Sequence, residues 1–249
     1  DAQESRGLGD VYKRQMYGHI LEDFLSDYDY WGHCDVDLIF GDLRKFFNLY
    51  KINNYDRFLH LGHLSLYKNT SECKEYYKLD GAPCGNWDEV VTNPQNFLFD
   101  EWNGIFGIYH KHNIPMFEGR IFADISMIYK RFRLALNDKN YDQQVFYWED
   151  GHVYRKYWIE EKSFKEEFIY IHFKKRGFKK QTFDASTTTS FYIGPDGFTE
   201  KTKSATLEDV KRINPYYGEK YELKELRRME WEDKKAWWKK RITKLWERK

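Results

Sequence analysis

The residues most suited to chemistry lie in YWGHCDVDLIFGDL, at positions 30–43. Asp35 and Asp37 interrupt an apolar run that reads as a strand, and Asp42 follows Gly41. A bare carboxylate is costly to bury unless it is paired or holds a metal. Two positions apart on an extended strand, Asp35 and Asp37 point to the same side, so at a strand tip they emerge together. Two such charges repel each other until a divalent cation joins them. Oxygen ligands favour a hard ion, Mg²⁺ or Mn²⁺, which keeps waters and accepts phosphate oxygens. A D-x-D alone is a common chance match. This one gains weight from ending an apolar strand and from Gly41, where a backbone or substrate can come close. The competing reading has the aspartates capping Gly41 or the next helix. Asp42, just before LRKFF, is the better cap.

Other residues extend the candidate site. FIYIHFKKR reads as a strand in which Ile169, Ile171 and Phe173 alternate with Tyr170 and His172. His172 therefore faces away from the isoleucines, followed by the cations Lys174, Lys175 and Arg176. Asp100 and Glu101, in FDEW, are expected in the first turn of a helix. There they serve either as a base for an acceptor hydroxyl or only as dipole-compensating carboxylates. His63 and Ser65 share one face of a strand after Gly62. They can bind hydroxyls, or His63 can be a hydrogen-bonded core residue. The loop over residues 80–96, carrying Trp87, reads as an acceptor lid.

The elements that must position these groups alternate early between helix and strand. Helical spacing marks YGHILEDFLSDY and GDLRKFFNLY, with strands in residues 30–35, two short ones in YDRFLHLGHLSLYKN broken at Gly62, and another in GRIFADISMI. Asn69 or Thr70 is expected to cap a helix through SECKEYYKL. QQVFYWEDGHVYRKYW predicts a hairpin turning at Asp150-Gly151, a pair suited to a type I′ turn, and SFYIGPDGFTE a smaller one. Together these predict a mixed α/β domain. From residue 221 to the end, eleven Lys and Arg stand against six Asp and Glu. Leu223, Leu226, Trp231, Trp238, Ile242 and Leu245 can share a broad helical stripe. Such a helix either packs its tryptophans on the domain or lies on an anionic membrane surface.

Composition narrows the classes. The chain has 249 residues, 33% charged with a formal net charge of +1, so it carries no field of the nucleic-acid-binding kind. Aromatics reach 19%, which suits sugar stacking and an aromatic core equally. Three cysteines without C-x-x-C spacing suggest a reducing compartment and no disulfide framework. No apolar run approaches the roughly 18 residues of a membrane span. Residues 1–15 lack apolar periodicity, and RGLGDVYKRQ looks like translated adapter read-through, so biological sequence is expected to begin near Met16.

YDYWGHCDVDLIFGDLRKF, HLGHLSLYKNT and FIYIHFKKR resemble a bacterial family grouped with capsular-polysaccharide and lipopolysaccharide glycosyltransferases. The resemblance covers roughly residues 16–180. It implies an α/β fold: a GT-A-like, Rossmann-like mixed sheet flanked by helices, lacking its first strands, with added β-hairpins and a C-terminal helix. The implied division is a tail over 1–15, a partial transferase domain over 16–205 and a basic, Trp-rich segment over 206–249. The implied activity is transfer of a sugar from a nucleotide-diphosphate donor to a glycan or lipid-linked glycan acceptor, with no nucleic acid involved. Asp35, Asp37 and His172 would hold Mn²⁺ or Mg²⁺. Arg176, Lys174 and His63 would bind the donor, and Asp100 or Glu101 would act as base. The expected location is the cytoplasm, at the inner membrane face if the C-terminal helix makes peripheral contact. Only about twenty residues precede Asp35 after the tail, so the nucleoside pocket is expected to be largely missing and donor binding weak. A metal-dependent phosphoryl-transfer enzyme and a non-catalytic carbohydrate-binding or scaffold protein are the alternatives. No G-x-x-x-x-G-K-[ST] phosphate loop is present to support the former.

Overall fold

The structure, a computed structural model, describes residues 14–93, 97–135, 138–174, 176–178 and 180–246. The chain is mixed α/β. The contacts of the described residues cluster into two compact units, residues 14–36 with 44–120 and residues 37–43 with 121–246, which divide the stretch 16–205 treated above as one domain.

The first unit opens with α1 (Tyr17–Ile20), α2 (Glu22–Leu25) and β1 (Tyr30–Cys34). The chain then supplies β2 (Leu38–Phe40) to the second unit, and α3 (Leu43–Leu49) starts at the return crossing, directly after Asp42. β3 (Arg57–Phe58), β4 (Leu64–Lys68), α4 (Ser71–Glu75), α5 (Trp87–Thr92), α6 (Ile105–Lys111) and β5 (Met116–Phe117) complete the unit. Four strands form one sheet in the order β1-β4-β3-β5. Thr70 caps α4, its hydroxyl accepting from the Cys73 amide. The core gathers Trp31, Tyr67, Phe99, Ile108 and Tyr109. Arg57 is fully buried there, between the rings of Tyr67 and Tyr109. It donates to the carbonyls of His60 and Asp100 and to Ser65 Oγ, each at 3.0 Å, so its charge is met by dipoles and π-faces.

The second unit adds β6 (Ala123–Asp124), β7 (Gln143–Glu149), β8 (His152–Ile159), β9 (Lys162–Phe168) and β10 (Tyr170–His172). There follow β11 (Lys180–Gln181), β12 (Ser190–Gly194), β13 (Gly197–Glu200), α7 (Leu207–Ile213) and α8 (Glu219–Trp246). A three-stranded sheet runs β2-β10-β6 and a six-stranded sheet β11-β13-β12-β7-β8-β9. The hairpins expected as additions are thus the body of the larger sheet. The turn between β7 and β8 has positive φ at both Asp150 and Gly151, as a type I′ turn requires. Ile171, Phe168, Val153, Phe146 and Ile193 pack together on one face of this sheet. Tyr147, Tyr192, Ala205 and Val210 cover the other.

Three details differ from the sequence reading. GRIFADISMI contributes only two strand residues, because its neighbour β10 is itself three residues long. β9 has no counterpart in the sequence pattern, since KSFKEEF is a mostly exposed, charged edge strand without clean alternation. The C-terminal helix is docked by carboxylates rather than by its tryptophan stripe. Glu222 accepts from Arg131 and Arg133, and Glu225 from the Lys130 amide at 3.1 Å. Trp231 and Trp238 remain 61% and 57% exposed, and the side chains of Ile242 and Leu245 lie outside the described residues. Among the described residues, no helix is long and apolar enough to cross a membrane.

Candidate functional site

Strand register builds the centre of the second unit. β10 pairs antiparallel with β2, setting His172 opposite Leu38, and parallel with β6, setting His172 beside Asp124. Register neighbours project to the same face. Ile171 therefore points into the core, while His172 and Asp124 share the opposite side, as the alternation of FIYIHFKKR predicts. The Phe173 amide donates to the Asp37 carbonyl at 3.1 Å, tying Asp37 to the end of β10. His172 Nδ1 lies 2.9 Å from Asp124 Oδ1, and His172 Nε2 lies 3.5 Å from Asp37 Oδ1. Lys174 Nζ reaches Asp124 Oδ2 at 2.7 Å. The imidazole is thus set between two carboxylates, one of them almost fully buried and already matched by a lysine.

Gly41 serves packing. A Cβ there would sit 2.7 Å from the Phe168 carbonyl oxygen and 3.1 Å from the Val153 nitrogen, so other main chain fills the space considered above for a substrate. Arg176 is likewise committed. Its guanidinium donates to the carbonyls of Ser126 and Tyr129, lies over the Phe132 ring, and is held below its ordinary pKa by burial. Lys175 lies outside the described residues.

The first unit holds the other candidates around Arg14 and Gly62. Arg14 donates to Asp35 Oδ1 at 2.8 Å and to the Gly62 carbonyl at 3.0 Å, and the Asp35 amide donates to the His63 carbonyl at 3.0 Å. A Cβ on Gly62 would lie 2.9 Å from Asp100 Oδ2 and 3.0 Å from Glu101 Oε1, so both carboxylates face that glycine. They do not sit in a helical first turn. The Ile105 amide donates to the Phe99 carbonyl at 2.7 Å, and the chain doubles back before α6 starts at Ile105. Asp100 is 3% exposed, and burial, then the Glu101 charge, pushes its carboxyl up to about 6. His63 is buried; His33, opposite Ser65 on the sheet, is driven down to about 3 by burial and then by Arg14 and Arg57. Ser65 is occupied with Arg57 and the carbonyls of Leu59 and Leu61. Trp87 starts α5 and rests edge-on against Tyr77, while residues 94–96 of the expected lid lie outside the described residues.

Two residues escaped the sequence reading. Asp124 carries the signal already used for the D-x-D, a carboxylate inside an apolar strand. Arg14 belongs to the adapter-like stretch 1–15, of which 1–13 lie outside the described residues; Gln15, next to it, is buried.

Residues 8–202 match DUF6625, a family of unknown function. The chain belongs to this family. The DUF6625 match takes in the D-x-D, Asp100, Asp124 and His172, and begins within the adapter-like segment. No curated protein and no solved structure matches the chain.

Proposed function

We propose that this DUF6625 chain is a metal-dependent glycosyltransferase of GT-A-like fold. It would move a sugar from a nucleotide-diphosphate donor to a surface-polysaccharide or lipid-linked glycan acceptor in the cytoplasm, at the inner membrane face if the C-terminal helix makes peripheral contact. The observation that supports it is the setting of His172. A metal-ligating histidine usually gives its second ring nitrogen to a carboxylate, which fixes the ring and its tautomer. Asp124 is so placed at Nδ1, and Nε2 faces Asp37. Ligands on one small divalent ion with bonds of about 2.1 Å stand roughly 3 Å apart. The 3.5 Å between Asp37 Oδ1 and His172 Nε2 is close to that spacing. A donor set mixing carboxylate oxygen with imidazole favours Mn²⁺ over Mg²⁺. Asp35 joins as the first carboxylate of the D-x-D on its sequence position, with Oδ1 engaged by Arg14. The ion would neutralise charge on the donor diphosphate.

Each protein group then has a role in this reading. Asp124 holds His172 in one tautomer, and Lys174 balances the Asp124 charge. Asp100, raised to about 6, is in the range of a general base working near neutral pH, taking the proton from an acceptor hydroxyl. Arg176 is assigned to holding the 126–130 segment rather than to the donor.

The test is thermal stabilisation by Mn²⁺ alone and with a panel of nucleoside diphosphates, in the parent and in Asp37→Ala. Mn²⁺-dependent stabilisation that disappears in the variant supports the transferase. Stabilisation by glycans alone, unchanged by a chelator, replaces it with the carbohydrate-binding reading.

A further inference from the structure

A cavity of about 530 Å³ opens on the face of the six-stranded sheet that also carries Tyr147. Lys156, Lys165, Lys201 and Lys203 line it, against the carboxylates of Glu149 and Asp150. Lys156 and Lys165 are direct cross-strand partners on β8 and β9. Like charges directly opposite each other in a sheet are destabilising. The rest of the cavity does little to relieve the pair. Lys201 is bound to Glu149, so that carboxylate is already used. Lys156 donates to the Ala205 carbonyl at 2.8 Å and to Ser204 Oγ at 3.4 Å and lies over the Trp158 ring, which leaves one of its three protons for a ligand. Lys165 lies 4.1 Å from the centre of the Tyr154 ring, without a carboxylate partner among the described ion pairs. Burial, followed by the charges of Lys201 and Lys165, holds the Lys156 ammonium below its ordinary value, although Asp209 pulls the other way. Hydroxyls of Ser163, Thr189 and Ser190 line the same space, and Ser190 Oγ is buried without a partner.

We propose that this cavity is a binding site for an oxyanion, a phosphate or carboxylate group, held between Lys156 and Lys165 with serine and threonine hydroxyls as further donors. A cross-strand lysine pair beside a third buried lysine is a poor arrangement for stability and a good one for an anion, because charge-assisted bonds to an oxyanion are the strong ones. The site lies wholly in the second unit and draws on none of the residues assigned to the metal.

The experiment titrates the protein, by calorimetry at low ionic strength, with inorganic phosphate, with glucuronate and with glucose as the neutral control. Binding of phosphate or glucuronate but not of glucose supports the site, and the stronger of the two names the source of the anion. The affinity should fall about tenfold or more in Lys165→Gln and weaken with added salt. The same variant, without ligand, should melt higher than the parent at low salt, because the cross-strand repulsion is gone. Binding of neither anion at millimolar concentration, an affinity indifferent to Lys165→Gln, or a lower melting point in that variant would overturn the proposal.

Discussion

Asp100→Asn should stabilise the protein, and by an amount that depends on pH. In the fold the Asp100 carboxyl is raised to about 6, by burial first and the Glu101 charge second. In the unfolded chain it titrates near 3.9. Between those values the native state holds a proton that the unfolded state has lost, so its share of stability falls as pH rises. Integrating the linkage relation gives a penalty of about 0.5 kcal/mol at pH 4, about 1.5 at pH 5 and nearly 3 at pH 7. The amide keeps the shape and removes the titration. The stability difference between variant and parent should therefore grow by about 2 kcal/mol from pH 4 to pH 7. His33 works in the opposite sense. Lowered to about 3, it stays neutral in the fold while the unfolded chain takes up a proton below about 6.5, so its contribution is lost as pH falls. At pH 5 that loss is about 2 kcal/mol. His60, lowered to about 4 by burial first, adds to it. In the parent the Asp100 slope offsets part of this acid lability, and the variant should uncover it. Urea unfolding at a series of pH values, read by tryptophan fluorescence, measures the difference. A gap that does not change with pH, or a variant less stable than the parent at neutral pH, would refute the reasoning.

Asp124→Asn should leave the fold intact and weaken Mn²⁺ binding about 10- to 100-fold, measured by calorimetry, because the carboxylate that fixes the His172 tautomer is gone. Gly41→Ala should cost about 1–3 kcal/mol in urea unfolding, since the new methyl meets the main chain of Phe168 and Val153, which has no flexible end to move aside. Arg57→Lys keeps the charge but loses the flat guanidinium that donates through Nη2 to the His60 and Asp100 carbonyls and Ser65 and lies over two tyrosine rings. It should cost about 2 kcal/mol by the same assay.

What the sequence disclosed depended on whether a local rule governs the position. The Asp150-Gly151 turn was legible because only a few residue pairs accept positive φ at both central positions. The next turn, through Glu160, also has positive φ but carries no such signal, and β9 was lost with it. His172 was legible because strand alternation alone sets its side relative to Ile171. Asp124, its partner 48 positions away, was not, because the parallel pairing of β6 with β10 has no local trace. Arg57 shows the same limit. Its compensating groups come from residues as far off as Asp100 and Tyr109, so nothing nearby marks it as a buried cation. The helical first turn assigned to Asp100 failed for a related reason, since the doubling back between Phe99 and Ile105 is a tertiary closure.

The pairing of Asp37 with His172 carries its own electrostatic test. If Asp124 accepts a proton from Nδ1, the neutral ring has only a lone pair at Nε2. A lone pair facing a carboxylate oxygen at 3.5 Å is repulsive unless positive charge lies between them, either a proton on Nε2 or a cation. Asp37→Asn separates the two. The amide can donate to the Nε2 lone pair, so the ion-free variant should be at least as stable as the parent while Mn²⁺ no longer raises its melting point. If His172 is instead a protonated bridge between two aspartates, the same change breaks a charged contact. The variant would then melt below the parent, and Mn²⁺ would shift neither protein.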